Sequence, residues 1–141
     1  MQVLLSKLRR TFDYILIDAP AGIGDGFALA VSGAEAAVIV AEAEIASVRD
    51  ADVVDHELSR WGISERYLVI NKVRAELMNQ GLVPTVQELG QGLRLPLAGM
   101  IQYDDNIFIS GNQGVPIVLK EGTYIEENFR RIVERICPET A

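Results

Sequence analysis

The sequence holds one cysteine and one histidine in 141 residues, and these two scarcities exclude several kinds of chemistry. Cys137 alone can neither close a disulfide within the chain nor join a cysteine metal cluster, and it reads as an ordinary thiol of a reducing cytoplasm. His56 is the only imidazole, and it has no second metal ligand beside it. Positive charge is also short. The net charge is −7, so the broad basic surface needed by nucleic acid or an anionic membrane is missing, while a local site for a small anion stays open. No secretory signal and no apolar run of transmembrane length occurs, and the longest apolar blocks suit strands. A cytoplasmic protein that binds no nucleic acid is the expectation.

About half the residues are apolar, 49%, and 23% are charged, a balance that predicts one globular domain with a real core across residues 1–141. The chain is organised around Tyr14-Ile15-Leu16-Ile17-Asp18-Ala19-Pro20-Ala21-Gly22. Its first half has the composition of a strand buried on both faces of a parallel sheet, and its second half is an aspartate followed by a turn. Phosphate-handling α/β proteins place an acid beside magnesium in this way. The same residues suit an aspartate that only caps a turn or the following helix, and both readings stand at this point. Gly22, Gly24 and Gly26 follow at alternate positions, but the run matches neither G-x-x-x-x-G-K-[ST] nor G-x-G-x-x-G, and no lysine follows it.

The remaining patterns alternate strand and helix. Met1 to Arg10 predicts a short amphipathic helix, Phe12 to Ile17 a strand, and Phe27 to Ser32 a helical turn or short helix. Ala36 to Ala41 predicts the next buried strand. Ser47 and Asp50 have capping-box spacing for a helix with Ala51, Val54, Leu58 and Trp61 on one side, ended by Gly62. Tyr67 to Ile70 predicts the third strand and Glu76 to Pro84 an irregular connection. Thr85 with Glu88 opens another helix, and Leu97 to Ile101 is the fourth strand. Asp104 to Asn112 predicts a short helix with Ile107 and Phe108 inward, Ile117 to Leu119 an extended piece, and Thr123 with Glu126 the start of a last helix. Its stripe of Ile125, Phe129, Ile132, Val133 and Ile136 is backed by a charge-balanced face, which favours packing on a sheet over lying on a membrane. The fold class expected is α/β, a mainly parallel sheet flanked by helices. Ligands bind such sheets at the carboxyl ends of strands, where this chain carries Asp18, Glu42, Glu44, Asn71, Gln102 and Asp104.

Four segments in order, Ile15 to Gly22, Ser47 to Asp52, Asn71-Lys72-Val73-Arg74 and Ser110 to Pro116, resemble the motifs of the MinD group of deviant P-loop ATPases, which is related to ParA. The resemblance spans nearly the whole chain. It implies ATP and Mg2+ as ligands, with Asp18 the Walker B acid that holds the metal through water and Gly22 part of the switch that senses the terminal phosphate. It also implies that Asn71, with Lys72 beside it, recognises adenine, and that the loop from Ile101 through Gln102 to Asp104 lines the base. The family usually has proline where Gln102 stands. Ser47 to Asp52 would lie where nucleotide-bound monomers pair and a protein regulator docks.

The family's fold begins with a strand and a Walker A loop whose N–H groups and lysines grip the phosphates. Lys7, Lys72 and Lys120 are the only lysines here, and none follows a glycine-rich strand-to-helix turn. The chain therefore resembles the carboxyl-terminal half of such an ATPase, a gene fragment or one piece of a split protein. Self-association or a missing amino-terminal half is expected to complete the sheet. The family's membrane-targeting helix would come after the last packed helix, and the sequence reaches Ala141 without one. The expected function is the Walker B, base-binding and partner-docking half of an ATP switch for division-site or cellular positioning, inactive in hydrolysis alone. A non-catalytic interaction module derived from the same fold is the alternative, and a DNA-partitioning relative fits the acidic balance less well.

Overall fold

A computed structural model describes residues 1–91 and 93–137. Three parallel strands form its sheet in the order β1-β2-β3. They are β1 (Ala36–Glu42), β2 (Glu65–Val73) and β3 (Leu97–Gln102). Between and around them run α1 (Gln2–Leu8), α2 (Asp25–Val31), α3 (Ile45–Arg60), α4 (Ala75–Asn79), α5 (Val86–Gly90), α6 (Asp105–Asn112) and α7 (Tyr124–Ile136). The mainly parallel α/β architecture is the one the sequence pattern predicts. The end of the sequence, where the expectation about a targeting helix falls, lies outside the described residues.

Alternation along the strands sends side chains to two cores. On one face Ile39 and Ala41 of β1 meet Leu68 and Ile70 of β2, and α3 covers them with Val48, Ala51 and Leu58. Phe27 and Val31 of α2 and Leu89 of α5 close the same core. On the other face Val69, Ala98 and Ile101 pack against Ile132 of α7. Arg135 of α7 donates to the Ala98 carbonyl at 2.7 Å, a charge-assisted bond that fixes the helix along β3. The second face is only part-covered: Val40 of β1 is 61% exposed, although it sits beside buried Val69 in register.

The structure corrects the expected strand at Phe12 to Ile17. No ladder includes it; the segment is irregular, and Leu16 is 97% exposed. An apolar strand composition becomes a strand only when a neighbour pairs its backbone, and among the described residues β1 has β2 as its one sheet neighbour. Other corrections have local causes. Helix α3 starts at Ile45 with Glu44 at its cap position, because the Ser47 hydroxyl accepts instead from the Glu42 N–H, 2.9 Å away. Trp61 ends up about half exposed. Glu76 to Pro84 contains the short helix α4, Phe108 points outward at 74% exposure, and Ile117 to Leu119 winds into a single 3-10 turn.

The expected helix starts at Thr85 and Thr123 hold. Thr85 makes a full reciprocal capping box with Glu88, and the Thr123 hydroxyl accepts from the Glu126 N–H at 3.1 Å, each cap worth about 1 kcal/mol.

Candidate functional site

The carboxyl ends of β1 and β2 and the residues just past β3 meet in one polar cluster. Its centre is an irregularity in β2. Ile70 pairs with Met100 of β3, but the next pair is Val73 with Gln102, so Asn71 and Lys72 together face the single residue Ile101. Lys72 absorbs the extra length with φ of 55°, the one non-glycine positive φ among the described residues. Its N–H donates to the Asn71 side-chain carbonyl Oδ1 at 2.9 Å.

Both neighbouring strands hold this turn. The Lys72 ammonium donates to the Glu42 carboxylate at the end of β1, and this bond and charge raise the Lys72 pKa above the ordinary lysine value. The Ala43 N–H donates to the Asn71 backbone carbonyl at 3.2 Å, and the Tyr103 N–H to the Val73 carbonyl at 2.9 Å. Arg74 then lays its guanidinium over the Tyr103 ring, 4.2 Å from the centroid. A cavity of about 360 Å³ opens here, rimmed by Glu42, Glu44, Lys72, Arg74 and Tyr103 and floored by Leu77, Met78 and Val83. Of the strand-end residues named from sequence, Glu42, Glu44 and Lys72 line it, and Asn71, Gln102 and Asp104 do not.

Asp104 holds the starts of two helices. Its Oδ1 accepts from the Asn106 N–H at 2.7 Å and caps α6, while Oδ2 accepts from the Tyr124 hydroxyl at the start of α7. The hydroxyl and then the Asn106 N–H lower the Asp104 pKa below the usual carboxylate value, and the same bond raises that of Tyr124. Ile101 is 7% exposed and packs in the α7 core, which leaves its backbone as the part that can face a ligand. Gln102 is exposed beside it.

Asp18 and Gly22 stand apart from this cluster, in the loop before α2. Asp18 is exposed. Gly22 has φ of +82°, a left-handed turn that side-chain-bearing residues resist. The Pro20 ring fills the space a Cβ at Gly26 would take, 2.6 Å from that position, so the loop closes tightly on itself. Among the described residues no group of three or more His, Cys, Asp or Glu is placed to hold a metal ion. Asp18 alone supplies too few oxygen donors for magnesium, which keeps its octahedral shell by sharing phosphate oxygens and water.

On α3, Arg49, Asp50 and Asp52 are exposed while Val48 and Ala51 are buried. One face of the segment anchors and the other presents charge. Sequence reasoning placed Tyr103 only inside the Ile101 to Asp104 loop and Arg74 only in the motif at the end of β2, and missed their contact, because the β2 and β3 ladder rather than spacing brings the two together.

No family model matches the chain. Septum site-determining protein MinD of Bacillus subtilis is 36% identical over 138 residues, covering 97% of this chain and 52% of its own length. The chain is a partial match to the MinD proteins. It matches the carboxyl-terminal part of MinD proteins and spans about half the length of the curated relatives it matches. The solved MinD cell division protein of Aquifex aeolicus superposes with a TM-score of 0.91 at 30% identity, over 99% of this chain and 60% of that one. MinD in the MinC:MinD complex of the same organism gives 0.89 at 32% identity, over 99% and 57%. The fold alone is shared with the Pyrococcus horikoshii MinD complexed with Mg-ADP, TM-score 0.86 at 21% identity, over 99% and 56%. This MinD-like chain therefore has the P-loop NTPase fold in part. Among the described residues no helix is long and apolar enough to cross a membrane.

Proposed function

We propose that this chain is the base-binding and partner-docking half of an ATP-dependent switch that positions the division site from the cytoplasm. The observation that carries the reading is the strand-end cluster, where Asn71 emerges between β1 and the residues just past β3 at the edge where parallel sheets bind ligands. The Asn71 amide would read the edge of adenine, with the backbone at Ile101 and the exposed Gln102 beside the ring. Asp18 would hold Mg2+ through water once phosphates share the ion, and Gly22 would give the loop its freedom to follow the terminal phosphate. The bound metal would supply charge neutralisation on those phosphates. The exposed charges of Arg49, Asp50 and Asp52 would receive a protein regulator, in keeping with a relative solved as a MinC:MinD complex.

Hydrolysis is a different matter. The chain has no lysine after a glycine-rich turn to stabilise charge on the phosphates, so alone it is a poor ATPase. The exposed charges of α3 favour a second reading as a non-catalytic interaction module of the same fold. The bare face of β1 and the exposed Tyr14 and Leu16 support completion by an amino-terminal half or by self-association.

Calorimetric titration with Mg-ATP, with and without a supplied amino-terminal half, tests the reading. Binding that appears on adding that half and is lost in Asn71→Ala is expected. Binding indifferent to Asn71 would overturn the base assignment, and no binding in either mixture would leave the interaction module.

A further inference from the structure

We propose that Lys72 is a positioning residue: its left-handed backbone makes the β2 bulge that turns the Asn71 side chain to the strand-end site. The register carries the argument. Ile70 and Val73 lie three residues apart, which in a regular strand puts them on opposite faces, yet both are buried in the same core, at 0% and 3% exposure. The extra residue resets the alternation, returning Val73 to the core and leaving Asn71 and Lys72 together outside it. Bulges of this two-against-one kind are uncommon in parallel pairs and gather beside functional sites, where they re-aim a side chain. A non-glycine residue held in a sparsely populated conformation points the same way.

Three contacts hold the device. The Lys72 N–H donates to Asn71 Oδ1, which fixes the carbonyl end of that amide beside the bulge. Glu42 binds the Lys72 ammonium from the β1 side, and the Tyr103 N–H binds Val73 from the β3 side. Glycine at position 72 keeps the left-handed geometry and deletes the ion pair. Valine deletes both, because a β-branched residue resists positive φ.

The inference rests on the nucleotide reading only for what Asn71 finally binds, so its test is made without nucleotide. In NMR of the whole chain, the residue-72 amide should exchange at nearly the wild-type rate in Lys72→Gly and keep its NOE to the Asn71 side-chain amide. In Lys72→Val it should exchange about tenfold faster, the factor matching the cost of a left-handed backbone, and the NOE should vanish. Equal behaviour of the two variants, whether both keep the signature or both lose it, overturns the proposal, since either charge or nothing at residue 72 would then orient Asn71. Failure of the base reading is a separate result, unchanged Mg-ATP affinity in Asn71→Ala.

Discussion

Ile132 of α7 occupies the space a side chain at Gly99 of β3 would need, its Cγ1 lying 2.5 Å from where that Cβ would stand. The helix can approach the sheet this closely only because β3 has glycine there, and the second core of Val69, Ala98, Ile101 and Ile132 depends on that approach. Gly99→Ala should therefore destabilise the chain by about 1–3 kcal/mol, the usual cost of overpacking, in urea unfolding followed by circular dichroism. Gly111 of α6 has nothing within 4 Å of its would-be Cβ. Gly111→Ala should be neutral or stabilising by up to about 1 kcal/mol through helix propensity.

A second contrast concerns Leu16 and Leu68, apolar residues of strand-like segments with opposite surroundings. Leu68 is 1% exposed and Leu16 is 97% exposed. Leu68→Ala should cost about 2–5 kcal/mol by opening a cavity, whereas Leu16→Asp should change monomer stability by less than about 0.5 kcal/mol. The same Leu16→Asp change should weaken any association that uses the Tyr14 to Ile17 run. Sedimentation equilibrium over a concentration series reads this directly; undiminished self-association in Leu16→Asp would place the contact elsewhere.

The Asp104–Tyr124 bond ties the residues after β3 to the start of α7 and gives a pH signature with two ends. Asp104 has a lowered pKa in the fold, by the Tyr124 hydroxyl and then the Asn106 N–H. Its contribution is present above the unfolded value of about 4 and is lost as pH falls through the lowered one. Tyr124 has a raised pKa, from its bond to Asp104. Its contribution is full below about 10 and is lost as pH rises through the raised value. Thermal melts of Tyr124→Phe against wild type should differ most on the plateau between these limits and converge at both extremes. The acid limb will not vanish, because the Thr85 N–H and hydroxyl also lower the pKa of Glu88.

The elements legible in the sequence are those with a local cause. Thr85 and Glu88 announce a capping box because its two bonds span three residues, and β1 and β2 announce themselves by apolar runs that the sheet then buries. Tyr14 to Ile17 carries an equally good strand signal and forms none, because pairing is a property of the neighbour as much as of the segment. Phe108 reads as core from its place beside Ile107 and lies exposed, on a helix none of whose residues is buried. At the site, Asn71 and Lys72 were visible as polar residues at a strand end, but the bulge was not. It arises from a two-against-one pairing with β3 that no spacing within β2 encodes.

Asp18 is exposed in its loop, and among the described residues no group of three or more His, Cys, Asp or Glu is placed to hold an ion, so an ion at Asp18 needs phosphate oxygens held by something else. The purified chain with Mg-ATP should therefore release phosphate no faster than buffer. Joined with an amino-terminal half that carries a lysine-bearing phosphate loop, it should acquire magnesium-dependent turnover, since charge stabilisation at the transferring phosphoryl group is the main source of rate in this reaction. Asp18→Ala in that complex should abolish the turnover while leaving assembly of the two halves intact by size-exclusion chromatography. Turnover by the chain alone, lost in Asp18→Ala, would show that these residues grip the triphosphate unaided. Turnover in the complex that survives Asp18→Ala would remove the aspartate from the metal site.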